Sequence, residues 1–89
     1  MHPMKSAAHR ANWLVYILEC ADGTYYTGIT NNLAERIAKH NSGKGARYTS
    51  VRRPVVLRYA KPAGNMSQAL REERRIKKLP RAEKELLFC

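Results

Sequence analysis

The chain has 89 residues, enough for one small domain, and its 17 Lys+Arg against 7 Asp+Glu give a formal net charge of +10. That imbalance sets a long-range field favouring polyanions, nucleic acid first and an anionic membrane surface second. No stretch is long and apolar enough to span a bilayer, and a hydrophobic content of 44% argues for a folded core rather than a disordered basic tail.

Residues 1–11 lack the apolar core of a secretory signal and read as a short, disordered basic tail in which His2 and His9 are solvated. The remainder, residues 12–89, reads as the folded domain. Two cysteines, Cys20 and Cys89, are too few for a disulfide framework. They are expected to be reduced thiols in a cytoplasmic protein, and no Cys/His cluster has zinc spacing.

Trp13-Leu14-Val15-Tyr16-Ile17-Leu18 is β-branched, aromatic and nearly all apolar. This suits a central strand buried on both faces. Ala21-Asp22-Gly23 is a hairpin signal, and residues 24–30 read as the returning strand. A two-residue Asp22-Gly23 turn would pair Glu19 with Tyr26 and put Tyr16 and Tyr26 on opposite faces. A three-residue Ala21-Asp22-Gly23 loop with a left-handed Gly23 would pair Leu18 with Tyr26 and Tyr16 with Gly28, placing both tyrosines on one face. Gly28 would then leave open space beside Tyr16. The residues alone do not choose between the two loops.

Asn32 followed by Glu35 resembles a capping box that starts a helix at Leu33, with Leu33 and Ile37 as its apolar stripe. Arg36 and His40, spaced i, i+4, point the same way and can reach over the sheet toward the tyrosines. Asn41-Ser42-Gly43-Lys44-Gly45 reads as a loop that continues into a basic, aromatic-tipped segment with Arg47, Tyr48, Arg52 and Arg53. Pro54 opens a third strand over residues 55–60, and Pro62-Ala63-Gly64 breaks the chain. Asn65 to Gln68 offers a second cap for a helix over residues 66–79. There Met66, Ala69, Leu70 and Ile76 share one side, with Glu73 near its middle. Arg71, Arg74, Arg75 and Lys78 take the opposite side, and Glu72 points to the flank. A third short helix is expected over residues 81–88, anchored by Leu86, Leu87 and Phe88.

A carboxylate amid an apolar stripe is costly unless paired. Glu73 reads either as half of a buried ion pair, with Arg36 as the nearest candidate, or as the holder of a hard cation such as Mg²⁺ beside a phosphate. Strand tyrosines ordinarily pack, as expected of Tyr25 and Tyr59. A phenol whose proton is shared can also act as general base on water, given cations to lower its ordinary pKa near 10. Arg36 has the planar fork that suits two phosphate oxygens. His40 can hydrogen-bond a phosphate or shuttle a proton. Tyr48 amid Lys44, Arg47 and Arg52 can stack on an unpaired base, while the cations contact the phosphate backbone.

From Trp13 to about Leu87 the chain resembles the GIY-YIG nuclease superfamily. Leu14-Val15-Tyr16 corresponds to the first family tripeptide and Tyr26-Thr27-Gly28 to the second. Thr30 through His40 matches the Thr-x-Asn-Leu-x-x-Arg-x-x-x-His stretch, and Glu73 corresponds to the metal-binding glutamate. Cys20-Ala21-Asp22-Gly23, Asn41-Ser42-Gly43-Lys44-Gly45-Ala46 and Ile76-Lys77-Lys78-Leu79 further resemble a small, single-domain bacterial subgroup. The resemblance implies an α+β fold, a small three-stranded antiparallel sheet flanked by helices, with both tyrosines on the active face. It also implies a metal-dependent endonuclease acting on DNA, with RNA as a further possible substrate, in repair, recombination or the processing of branched or damaged DNA. Glu73 would hold one Mg²⁺ or Mn²⁺ ion. Tyr16 would be the base or water-orienting group, Tyr26 would join its hydrogen-bond network, and Arg36 would bind the scissile phosphate beside His40. Gly28 would allow close approach of substrate, with Asn32, Lys44, Arg47, Tyr48, Arg52 and Arg53 as further nucleic-acid contacts. Leu14 replaces the first glycine, Thr27 replaces the usual aliphatic residue, and no Asn follows Asn65. These departures keep open a non-catalytic nucleic-acid-binding module, or an adaptor recruited by a protein partner.

Overall fold

The run of apolar and aromatic residues at Trp13–Glu19 forms β1, the middle strand of a three-stranded antiparallel sheet of order β2-β1-β3. The computed structural model describes residues 12–88; the expectations for residues 1–11 and Cys89 lie outside them. Val15, Tyr16, Ile17 and Leu18 are all fully buried, as a strand covered on both faces requires. Tyr16 and Leu18 join Cys20 and Val55 on one face, packed by Leu33 and Ile37. Val15 and Ile17 join Ile76 on the other, packed by Leu87 and Phe88. Burying each such aliphatic side chain stabilises the fold by about 1.5–3 kcal/mol.

β2 (Tyr25–Thr30) returns through the three-residue loop. Cys20 N donates to Thr24 O at 2.8 Å, Gly23 N donates to Cys20 O at 2.9 Å, and Gly23 has φ +85°. The register pairs Leu18 with Tyr26 and Tyr16 with Gly28, so both tyrosines share a face. α1 (Leu33–Asn41) follows, with Asn32 Oδ1 accepting from Glu35 N. The basic segment expected to be loop contains a one-turn helix, α2 (Arg47–Ser50).

β3 spans Val56–Gly64 and runs through Pro62-Ala63-Gly64, where a break was expected. It is an edge strand, so the missing Pro62 N–H leaves no ladder partner unsatisfied on the open side. A register shift between Trp13 and Leu14 absorbs the irregularity, and Gly64 at φ +91° turns the chain toward the next helix. α3 (Met66–Lys77) starts with a complete capping box between Asn65 and Gln68 and ends two residues before Leu79. α4 covers only Arg81–Glu85, beyond which Leu87 N and Phe88 N bond Lys84 O and Glu85 O in turns. Leu87 and Phe88 are the anchor; Leu86, 76% exposed, is not. Among the described residues no helix is long and apolar enough to cross a membrane.

Candidate active site

The hairpin register and the α1 spacing bring four of the expected residues together. From β1, Tyr16 extends its phenol to 2.9 Å from His40 Nε2 of α1. One turn earlier on α1, Arg36 Nε donates to Tyr16 Oη at 3.4 Å. The Tyr26 ring lies edge-on to His40, with centroids 5.1 Å apart, and 6.4 Å from the Tyr16 ring. Tyr16 and His40 are both fully buried.

The proton inventory gives this chain a direction. His40 Nδ1 lies 2.7 Å from Thr49 Oγ1, and Thr49 Oγ1 lies 2.9 Å from Ala46 O. A carbonyl only accepts, so the single Thr49 hydroxyl proton goes to Ala46 O, and Thr49 Oγ1 accepts from His40 Nδ1–H. Neutral His40 then presents a lone pair at Nε2, which accepts the Tyr16 hydroxyl proton. Burial first, and the Arg36 charge second, lower the His40 pKa from its ordinary 6.5, so the imidazole is neutral at pH 7. Burial also raises the Tyr16 pKa above 10, opposed by the Arg36 hydrogen bond. Tyr16 is therefore a protonated phenol with a proton acceptor already in contact.

Gly28 is placed beside Tyr16, but the space next to it is not open. A Cβ at Gly28 would lie 2.6 Å from Tyr16 Oη and 3.1 Å from Tyr26 Cε2. The glycine makes room for the phenol.

Glu73 sits between the buried Ala69 and Ile76 on the sheet-facing side of α3, its side chain 17% exposed. Its negative charge contributes to raising the Tyr16 pKa. The ion-pair partner is not Arg36, which is committed to Tyr16, but Lys77, whose Nζ lies 3.4 Å from Glu73 Oε2 one turn along α3. The described residues contain no group of three His, Cys, Asp or Glu side chains able to enclose a metal. A single carboxylate fits a Mg²⁺-type ion that keeps most of its waters and takes phosphate oxygens from the substrate.

The other expected nucleic-acid contacts divide into free and committed groups. Lys44 and Arg47 are exposed. Tyr48 is 38% exposed, its ring 6.2 Å from that of Tyr26. Arg52 is folded back onto Asp22, Tyr48 O and the face of the Tyr48 ring, 3.9 Å from its centroid. Arg53 donates to Ser50 O, and its guanidinium would meet a Cβ at Gly43. Asn32 is occupied in capping α1.

The sequence reading missed Thr49, Gly45 and Lys77. Thr49, fully buried, fixes the His40 tautomer. Gly45 is needed because a Cβ there would lie 2.5 Å from His40 Nδ1 and 2.8 Å from His40 Cα. The i, i+4 spacing of Glu73 and Lys77 was a visible signal; nothing local marked Thr49 or Gly45.

The family model described as the GIY-YIG catalytic domain matches residues 12–86. A UPF0213 protein of Halobacterium salinarum is 54% identical over 74 residues, covering 83% of this chain and 96% of that protein. The likeness to the subgroup thus extends to an archaeal relative. The solution NMR structure of a UPF0213 protein from Bacillus halodurans shares 47% identity at a TM-score of 0.54, covering 85% of this chain and 81% of that one. An NMR structure of a protein from E. faecalis shares 33% identity at a TM-score of 0.57, covering 85% and 82%. With the tyrosine pair, the arginine and histidine of α1 and the glutamate of α3 in one domain, this chain belongs to the GIY-YIG catalytic-domain family, among its small single-domain UPF0213 members.

Proposed function

We propose that this domain is a metal-dependent endonuclease that hydrolyses phosphodiester bonds in DNA, in a setting such as repair or recombination. The observation that carries this reading is the directed chain from Arg36 through Tyr16 and His40 to Thr49 and Ala46 O. It holds a phenol with a charge-bearing donor on one side and a neutral proton acceptor on the other.

Tyr16 is sealed beneath its neighbours in the resting molecule. The Arg36 bond on its oxygen is long at 3.4 Å. A phosphate offers Arg36 a bidentate, charge-assisted alternative. Engaging the scissile phosphate therefore draws Arg36 off Tyr16 Oη and frees that lone pair for a water molecule. The water passes its proton to Tyr16 Oη as Tyr16 passes its own to His40 Nε2. The oxygen attacks phosphorus as the bond from phosphorus to the leaving sugar oxygen breaks; that oxygen departs with the bonding pair and takes a proton from solvent, and His40 becomes an imidazolium whose Nδ1–H stays on Thr49. Glu73 would hold Mg²⁺ or Mn²⁺, which neutralises charge on the phosphate and on the leaving oxygen. Lys77 balances Glu73 until then.

The full burial of Tyr16 and His40, with Lys77 on Glu73, favours a second reading: a module that binds nucleic acid, or is recruited by a protein, without cutting. Incubation with supercoiled plasmid and a branched DNA, with Mg²⁺, Mn²⁺ or chelator, separates the two. Metal-dependent nicking by wild type and not by Tyr16→Phe is expected. Retained DNA binding without nicking in any metal would leave the second reading.

A further inference from the structure

The two edges of the sheet differ. β2 is the covered edge, with Thr27 and Thr30 both buried. β3 is the open one: Val56, Leu57, Arg58, Ala60 and Lys61 are all exposed, Val56 by 57%. Successive residues of a strand turn their N–H and C=O groups to opposite sides, so about half of those in β3 face away from β1. Among the described residues nothing else bonds them. The nearest bonds, from the Asn41 side chain to Val55 N at 2.8 Å and Val55 O at 3.1 Å, stop one residue short of the strand. Lys61 and Pro62 blunt the far end. What remains is an unpaired stretch of about 17 Å from Val56 to Lys61.

Charge decides what can lie on it. The two acids beside the strand are already paired, Glu19 with Arg58 at 3.6 Å and Glu72 with Arg75 at 2.7 Å. Two cations are left, one at each end: Arg53 in an open cavity of about 610 Å³ and Lys61 in one of about 320 Å³. Neither forms an ion pair among the described residues. A second copy of the chain would bring a charge of +10 against +10. The bulge at Arg58, between the Leu57–Leu18 and Tyr59–Ile17 pairings, also twists β3 away from the long, flat pairing that two folded edges need. Residues 1–11 carry Lys5 and Arg10 and no acid. A nucleic-acid backbone offers phosphate acceptors but no donors for the outward carbonyls. The complementary occupant is an extended acidic peptide.

We infer that β3 is a docking edge on which a partner protein adds an extended, acidic strand to the sheet. Main-chain bonds to Val56–Lys61 supply the affinity, and carboxylates on Arg53 and Lys61 supply the selectivity. The inference stands apart from whether the domain cuts. β3 lies across β1 from β2, so a segment docked there leaves Tyr26 and its side of the sheet open.

The test uses the full chain, ¹⁵N-labelled, and three capped peptides. The acidic probe is Asp-Glu-Val-Thr-Val-Glu; a second has lysine in place of each acid, and a third has proline in place of each valine. The acidic probe is expected to shift the amides of Val56–Lys61 saturably and to slow the solvent exchange of the outward-facing ones. The basic probe should fail for charge, and the proline probe for its missing N–H groups. Lys61→Glu, at an exposed and unpaired side chain, should keep its circular dichroism spectrum and bind the acidic probe about fivefold more weakly at low salt. That difference should disappear at about 1 M salt. No shift with the acidic probe, equal shifts with all three, or shifts confined to other elements would overturn the inference. Displacement of the probe by a fully paired DNA duplex would overturn it too, by giving the edge to nucleic acid. Shifts in β3 that grow with protein concentration alone would give the edge to a second copy and likewise overturn it.

Discussion

Replacing Thr49 by valine keeps the shape of a fully buried side chain and removes the acceptor of His40 Nδ1–H, now 2.7 Å away. Two effects follow from the geometry. The imidazole N–H is left facing a methyl group in a sealed site, a loss of about 1–3 kcal/mol. At roughly 4–8 °C per kcal/mol for a domain of this size, a 2 kcal/mol loss lowers the melting temperature by about 8–16 °C. The ring can relieve this by moving its proton to Nε2. That tautomer donates to Tyr16 Oη and can no longer accept the Tyr16 proton. Losing a positioned proton acceptor costs about 10²–10⁴ in rate, well beyond what the stability change alone would do below the melting temperature. The assays are thermal unfolding, ¹⁵N chemical shifts of the His40 ring, and single-turnover cleavage. Thr49→Ser, which restores the hydroxyl, should recover the Nδ1–H tautomer and most of the rate. Wild-type cleavage by Thr49→Val with His40 shifted to the Nε2–H form would refute the proton path.

Other outcomes follow from neighbouring contacts. Gly28→Ala places a Cβ 2.6 Å from Tyr16 Oη in a buried site; overpacking of about 1–3 kcal/mol in urea unfolding is expected, with loss of cleavage as the phenol leaves His40. Tyr16→Phe leaves His40 Nε2 and Arg36 Nε without their shared partner; it should fold, unfold more easily by about 1–3 kcal/mol, and not cut. For pH, the His40 pKa is lowered on folding from 6.5, so between the two values the unfolded chain binds more protons. This contribution to stability is fully present above about pH 6.5 and is lost as pH falls through the lowered folded value. Urea midpoints of wild type should decline over that window, and those of His40→Gln should decline less.

Much of the fold was legible because it rests on local pattern. The apolar run at Trp13 to Leu18 had to lie in mid-sheet, and the Asn65 and Gln68 cap fixed the start of α3. The reach of Arg36 and His40 over the sheet followed from helical spacing once the strands were placed. The hairpin register did not follow, because Ala21-Asp22-Gly23 suits two turns and only the packing of Tyr16 and Tyr26 on one face selects between them. β3 ran past Pro62 because edge position overrode a local breaker. Thr49 was hidden for a different reason: a threonine in a basic, glycine-flanked segment reads as surface, and only tertiary contact buries it against His40. Arg52 and Arg53 looked like free cations in the sequence, yet both are committed to backbone carbonyls of α2.

The most direct test of the account compares wild type with Glu73→Ala in parallel cleavage and binding assays on branched DNA, across Mg²⁺ and Mn²⁺ concentrations and in chelator. The account predicts metal-dependent cleavage by wild type, none by Glu73→Ala, and similar binding by both in chelator. Equal cleavage by the two proteins, or wild-type cleavage that persists in chelator, would contradict it.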